Sequence, residues 1–215
     1  MLIELYVSEG CSGCKEAERR LEGLTSMRSS RELLAIVLPL HEEAGAQKDA
    51  VLAKRERARR DFRRARLGRP RPLEVPLFLL QGEPRQDWRS PSFERQLDRL
   101  VAGRALARLA LTLETQGSKP GLQVRLEAEL EPSSPLRGAA LYLAPVRLKN
   151  DVTGPYAAWG WSGPFWVERG RAFARSQRLM LPAGPSPEMF GAAAFLQDRS
   201  SGEVLQSLVL DRCRE

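Results

Sequence analysis

A chain of 215 residues, 42% hydrophobic and 28% charged, is long enough for one large core or two smaller ones and too apolar for a disordered polymer. No apolar run approaches the roughly 20 residues that a membrane-crossing helix needs, and three cysteines, Cys11, Cys14 and Cys213, are too few for a disulfide-stapled scaffold. The formal charge of +7 is local: Lys54 to Arg71 holds ten basic and two acidic residues, which leaves the remainder close to neutral.

Residues 2 to 7 form a short β-rich apolar run stopped by Ser8-Glu9-Gly10, which predicts a buried strand and a turn. A helix is expected from near Ser12 to about Leu24, with Ala17, Leu21 and Leu24 on one side. Glu32 to Leu40, "ELLAIVLPL", is continuously apolar and suits a central strand covered on both faces. Strand, helix and strand in this order predict a parallel βαβ unit. Residues 44 to 67 are rich in Ala, Arg, Lys and Glu, and predict a long solvated helix ended by Gly68 and Pro70.

A Pro-led apolar run follows from Val75 to Leu80, then a turn at Gly82 and a short returning strand around Gln86 to Arg89. The next helix has Ser90 as N-cap, Pro91 in its first position and Phe93, Leu97, Leu100 and Val101 as its apolar face. From about Leu109 the pattern changes to "LALTLET", "LQVRLEAELE", "GAALYLAPVRL", "AAAFLQD" and "VLQSLVL", separated by Gly, Pro, Ser and Asp. These segments predict antiparallel β structure buried as a sandwich, with a linker near Gly103 to Arg108.

The chemistry concentrates in "SEGCSGCK". A C-x-x-C between a buried strand and a helix puts its first thiol at unpaired helix N–H groups and the positive end of the helix dipole, where a thiolate is stabilised. Cys11 would attack and Cys14, one turn on, would resolve. The set of strand, C-x-x-C, helix, strand and Val75-Pro76 step resembles the thioredoxin family over roughly residues 1 to 103. More narrowly, "IELYVSEGCSGC" and the hairpin-like "AAAFLQDRSSGEVLQSLVL" resemble a group of bacterial, mostly exported, thioredoxin-like proteins with a C-terminal β-domain.

The resemblance implies an α+β protein: residues 1–103 as an N-terminal thioredoxin-like α/β domain with an inserted helix, and residues 109–215 as an antiparallel β-sandwich. It implies a cis Pro76 facing Cys11 and Cys14, with Glu74 and Val75 presenting backbone to an extended substrate. The activity implied is thiol–disulfide exchange on protein or small-molecule disulfides, with no metal or organic cofactor. Ser12-Gly13 between the thiols departs from thioredoxin's Gly-Pro, and no Trp precedes Cys11.

Other readings stay open. The cysteine pair could be structural, on a scaffold that binds partners without catalysis. Cys11, Cys14, His41 and Cys213 would make a Cys₃His zinc set, although Cys213 is the third residue from the end. Lys54 to Arg71 could track phosphates, but it lacks interleaved aromatics for stacking on bases, which argues against nucleic acid. Trp159, Trp161 and Trp166, beside Tyr156, Phe165 and Phe173, form either a binding surface or a core plug. "MLIELYVSEG" has no basic n-region and no cleavage site, so the sequence as given reads as cytoplasmic, or as exported if a leader has been removed.

Overall fold

The computed structural model describes residues 1–40, 75–103, 107–114, 122–130, 136, 138–148, 154–158, 161–181 and 190–210. The expected helix over 44–67 and the basic segment Lys54 to Arg71 lie outside the described residues, as do Glu74, His41, Trp159 and Cys213.

The first half begins as the sequence predicts. Strand β1 (Leu2–Ser8) leads through a turn to helix α1 (Cys14–Ser26), and β2 (Leu34–Leu40) returns parallel to β1. Strand β3 (Leu77–Leu80) pairs antiparallel with β1, and β4 (Glu83–Arg85) pairs with β3. The returning strand is thus earlier than the expected Gln86 to Arg89, because Gln81 (φ 50) and Gly82 (φ 92) reverse the chain in a two-residue turn. Helix α2 (Pro91–Val101) follows Ser90, with Phe93 and Leu97 fully buried.

The second half contributes β5 (Ala107–Glu114), β6 (Leu122–Leu130), β7 (Gly138–Leu148), β8 (Tyr156–Ala158), β9 (Ser162–Glu168), β10 (Phe173–Leu179), β11 (Gly191–Asp198) and β12 (Val204–Leu210). Here the expected fold class is corrected. The chain is not an α/β thioredoxin-like domain followed by a separate sandwich, because one mixed sheet of nine strands draws on both halves, in the order β12-β11-β7-β8-β2-β1-β3-β4 with β9 also on β7. The joint is β8, which runs parallel to β2 through Ile36↔Tyr156 and Val37↔Ala157 and antiparallel to β7. The free edge that β2 would present as the end of a separate sheet is paired instead. The structure is mostly β, with two helices among the described residues.

Alternation along the strands shows how the layers close. Ile3, Leu5, Ala35, Val37, Phe78 and Leu80 face α1 and α2, packing on Ala17, Leu21, Leu24, Phe93 and Leu97. On the other side, Leu2, Tyr6, Leu34, Ile36 and Leu38 share a core with Ala140, Tyr142, Ala144, Tyr156, Ala193, Phe195 and Val204, so strands from both ends of the sheet line one interior. The sheet curls until β12 packs against β1 and β2. Small alanines on β7, β8 and β11 leave room for the rings of Tyr6, Tyr142, Tyr156 and Phe195. Ala139, Leu141, Leu143, Ala192, Ala194 and Leu196 point away from that interior and meet the second sheet, β10-β6-β5.

Pro145 sits inside β7, between the end of β9 pairing at Leu143 and the start of β8 pairing at Val146. The ladder on that side is interrupted there in any case, which makes the position tolerant of a residue without an N–H.

Candidate functional site

Ser8 ends β1, and the Cys11 amide donates to the Ser8 carbonyl at 3.4 Å across a turn in which Gly10 has φ 76. A side chain there would be strained, so glycine lets the chain turn sharply from strand to helix. The Cys14 amide donates to the Cys11 carbonyl at 3.4 Å and the Ala17 amide to the Gly13 carbonyl at 3.1 Å. Gly13 is the N-cap of α1 and supplies no side-chain acceptor, so the first-turn N–H groups are not capped by it. The helix starts at Cys14 rather than near Ser12 as the sequence predicts.

Cys11 and Cys14 are joined by a disulfide, with Cα atoms 5.5 Å apart. Cys14 is only 6% exposed and packs into the helix-side core, whereas Cys11 is half-buried at its margin. The two cysteines are therefore unequal, Cys11 being the more exposed.

The Val75-Pro76 peptide is cis, and its proline lies against the thiol loop. A Cβ placed on Gly13 would be 3.3 Å from Pro76 Cδ and 3.5 Å from its Cγ. Glycine between the cysteines is what allows the proline ring to come so close. Cys11, Cys14 and Pro76 thus meet in one place although Pro76 is some sixty residues further along the chain. Val75 is half-buried and packs on both cores that flank the sheet.

Two charged residues that sequence reasoning missed also stand here. Arg89, in the turn before α2, forks onto Glu16 in the first turn of α1, with Nε donating to Oε1 and Nη2 to Oε2, both at 2.8 Å. That hydrogen-bonded pair holds the Glu16 carboxyl below the ordinary carboxylate range and raises the Arg89 guanidinium. The guanidinium carbon lies 3.9 Å from the centroid of the Trp88 ring, and Nη2 would be 3.8 Å from a Cβ on Gly13. Trp88 is buried and stacked on Phe78 at 5.0 Å, so its face is a fixed platform. No local spacing could have revealed a contact across 73 positions.

The aromatic cluster divides. Tyr156 is buried in the interior of the curled sheet, and Trp161 meets Phe195 edge-on at 4.7 Å. Trp166 points out, 52% exposed, beneath the Arg199 guanidinium at 4.1 Å. Phe165 and Phe173 meet at 6.5 Å between β9 and β10. Among the described residues no group of three or more His, Cys, Asp or Glu side chains is arranged to hold a metal ion. The zinc set of Cys11, Cys14, His41 and Cys213 has two members outside the described residues. No described helix is long and apolar enough to cross a membrane.

No protein-family model matches the chain, and no curated protein matches its sequence. Among solved structures, HBP35 of Porphyromonas gingivalis superposes with a TM-score of 0.69 at 13% identity, covering 98% of this chain and 74% of that one. A domain of the outer membrane lipoprotein Omp28 from the same organism covers 50% of this chain and 88% of that one at 16% identity, with a TM-score of 0.37 that carries no argument. What the chain shares with HBP35, at so low an identity, is a fold running through nearly its whole length.

Proposed function

We propose that the protein is a thiol–disulfide oxidoreductase acting through Cys11 and Cys14. The observation that carries this reading is the unequal exposure of a bonded cysteine pair at a helix N-terminus, with Pro76 packed over the glycine between them. A structural disulfide gains nothing from leaving one of its cysteines partly exposed beside a helix dipole, whereas an exchange reaction needs both.

In the reducing direction the Cys11 thiolate attacks one sulfur of a substrate disulfide. The substrate S–S bond breaks, a mixed disulfide forms and the first substrate thiolate leaves and takes up a proton. Cys14, having lost its proton, then attacks the Cys11 sulfur, which expels the second substrate thiol and leaves the Cys11–Cys14 disulfide. The substrate gains two electrons and the protein loses two. An external dithiol must return them, and the reverse sequence oxidises a dithiol. Protein and small-molecule disulfides both satisfy this chemistry, and the backbone of Val75 and the ring of Pro76 would meet them.

Insulin reduction with dithiothreitol tests the proposal. The unaltered protein should accelerate it, Cys11→Ser should abolish the acceleration, and Cys14→Ser should accumulate a mixed disulfide. If Cys11→Ser matches the unaltered protein, the pair is structural and the chain is a binding scaffold.

A further inference from the structure

Arg89 is placed where it can govern the thiol pair rather than only pin two helices together. Two contacts fix its guanidinium, the fork onto Glu16 and the Trp88 face, and its Nη2 would stand 3.8 Å from a Cβ on Gly13. A guanidinium held this way brings a permanent positive charge to the loop between the cysteines without the entropy loss of a free side chain. Glu16 lies two positions beyond Cys14 on the helix and opposes that charge at 2.8 Å.

Among the described residues the other charged groups near the loop are few, and Glu74, next to Val75, lies outside them. Glu9 precedes the loop, Lys15 and Arg19 lie on α1, and all three are exposed or half-exposed. Arg85 at the end of β4 and Asp87 in the turn before α2 are paired with each other at 2.7 Å. Val75 and Pro76 bring no charge.

We infer that Arg89 is a positioning residue for thiol exchange: it stabilises the Cys11 thiolate, and Glu16 holds it in place while moderating its field. The inference rests on the redox reading above and deepens it by naming what sets the reactivity of the attacking sulfur. A full charge near a thiolate at a partly solvated site changes its basicity by up to about one pK unit, or up to roughly tenfold in thiolate population near neutral pH. Removing Arg89 should raise the Cys11 pKa. Removing the charge of Glu16 should lower it.

The test measures iodoacetamide alkylation of Cys11 against pH in the full chain, in a Cys14→Ser, Cys213→Ser background. Arg89→Met should slow alkylation near neutral pH by roughly three- to tenfold and move the profile to higher pH. Arg89→Lys should recover part of the rate, and Glu16→Gln should speed it. Superimposable profiles for Arg89→Met, Glu16→Gln and the parent overturn the inference, and Glu16→Gln keeps the test decisive if Arg89→Met does not fold. Alkylation requires no turnover, so the two ideas fail separately. Unmoved profiles with intact insulin reduction discard the role of Arg89 alone, and moved profiles without reduction support the electrostatic role while discarding the oxidoreductase.

Discussion

Gln81 and Val204, 123 positions apart, exchange backbone and side-chain hydrogen bonds: the Val204 amide donates to the Gln81 carbonyl at 2.9 Å, and Gln81 Nε2 donates to the Val204 carbonyl at 2.9 Å. On its other side the Gln81 amide donates to the Leu2 carbonyl at 3.0 Å, while Gln81 Oε1 accepts from the Leu2 amide at 2.7 Å. One residue therefore ties the first strand to the last and holds the curl of the sheet. It does so from a positive φ of 50, which a non-glycine residue adopts at some cost.

Substituting Gln81 separates these effects. Gln81→Gly relieves the backbone but removes both side-chain bonds, and Gln81→Leu removes them while keeping the bulk. Both should lower unfolding free energy, by about 1–3 kcal/mol for Leu because two backbone groups lose their partners. Gln81→Asn suits the left-handed backbone better, yet its side chain is one methylene too short for both bonds. Urea denaturation should rank all three below the parent, and an Asn variant as stable as the parent would show that the turn, not the bridge, requires this residue.

Gly13 should tolerate no branched side chain. Its missing Cβ already stands 3.3 Å from Pro76, and the γ-carbons of Gly13→Val would enter the proline ring. We expect a loss of about 1–3 kcal/mol in stability and insulin reduction slowed by more than the stability loss explains. Denaturation curves and initial rates on one preparation measure both.

Asp198 closes the β11–β12 hairpin. Burial alone would raise its pKa, but it accepts from the hydroxyls and amides of Ser200 and Ser201, and these bonds bring it down to about 2. A depressed carboxylate stabilises the fold fully above its unfolded value of 3.8 and loses that contribution as pH falls through about 2. The contribution is on the order of 2 kcal/mol. Asp198→Asn should be less stable at pH 7, and its deficit against the parent should shrink as the pH is lowered from 4 to about 2. A deficit constant with pH would mean that the carboxylate charge contributes nothing.

The helix layer depends on packing rather than on its ion pairs. Arg20–Glu94 joins α1 to α2 and Arg28–Asp98 joins the turn after α1 to α2, each at 2.5 Å and at partly exposed positions. Double-mutant cycles on either pair should give coupling below about 1 kcal/mol. Phe93, fully buried and edge-on to Phe78 at 5.9 Å, should cost about 3–5 kcal/mol on replacement by Ala.

How much of this was legible in the sequence depends on how local each signal is. The α2 boundary was written in Ser90-Pro91 and the β1 turn in Ser8-Glu9-Gly10, while the hairpin of β11 and β12 was legible as a resemblance of its segment to a closing hairpin. Strand β4 was misplaced because Pro84 reads as a breaker, although at a sheet edge its lack of an N–H costs no bond. Strands β8 and β9 escaped notice for different reasons. Tyr156 to Ala158 is too short for any period, and Gly163, Pro164 and Trp166 are exposed, which erases alternation in β9. The pairing of β2 with β8 leaves no trace in either segment. That is why two separate layers were expected where one sheet is continuous. At the thiol site, the cysteines and Pro76 could be named from motif alone, whereas Arg89 and Glu16 meet only because α2 packs beside α1.

The parallel contact of β2 with β8 also has a temporal side. A chain made from its N-terminus presents Leu34, Ile36 and Leu38 more than a hundred residues before Tyr156, Phe195 and Val204 exist to cover them. Until then the newly made thiol loop stands on a sheet with one greasy face and one open edge, a surface that attracts chaperones and neighbouring chains. Closing the Cys11–Cys14 disulfide brings together only residues already made, so once an external disulfide takes up its two electrons the bond can form before the fold around it is complete.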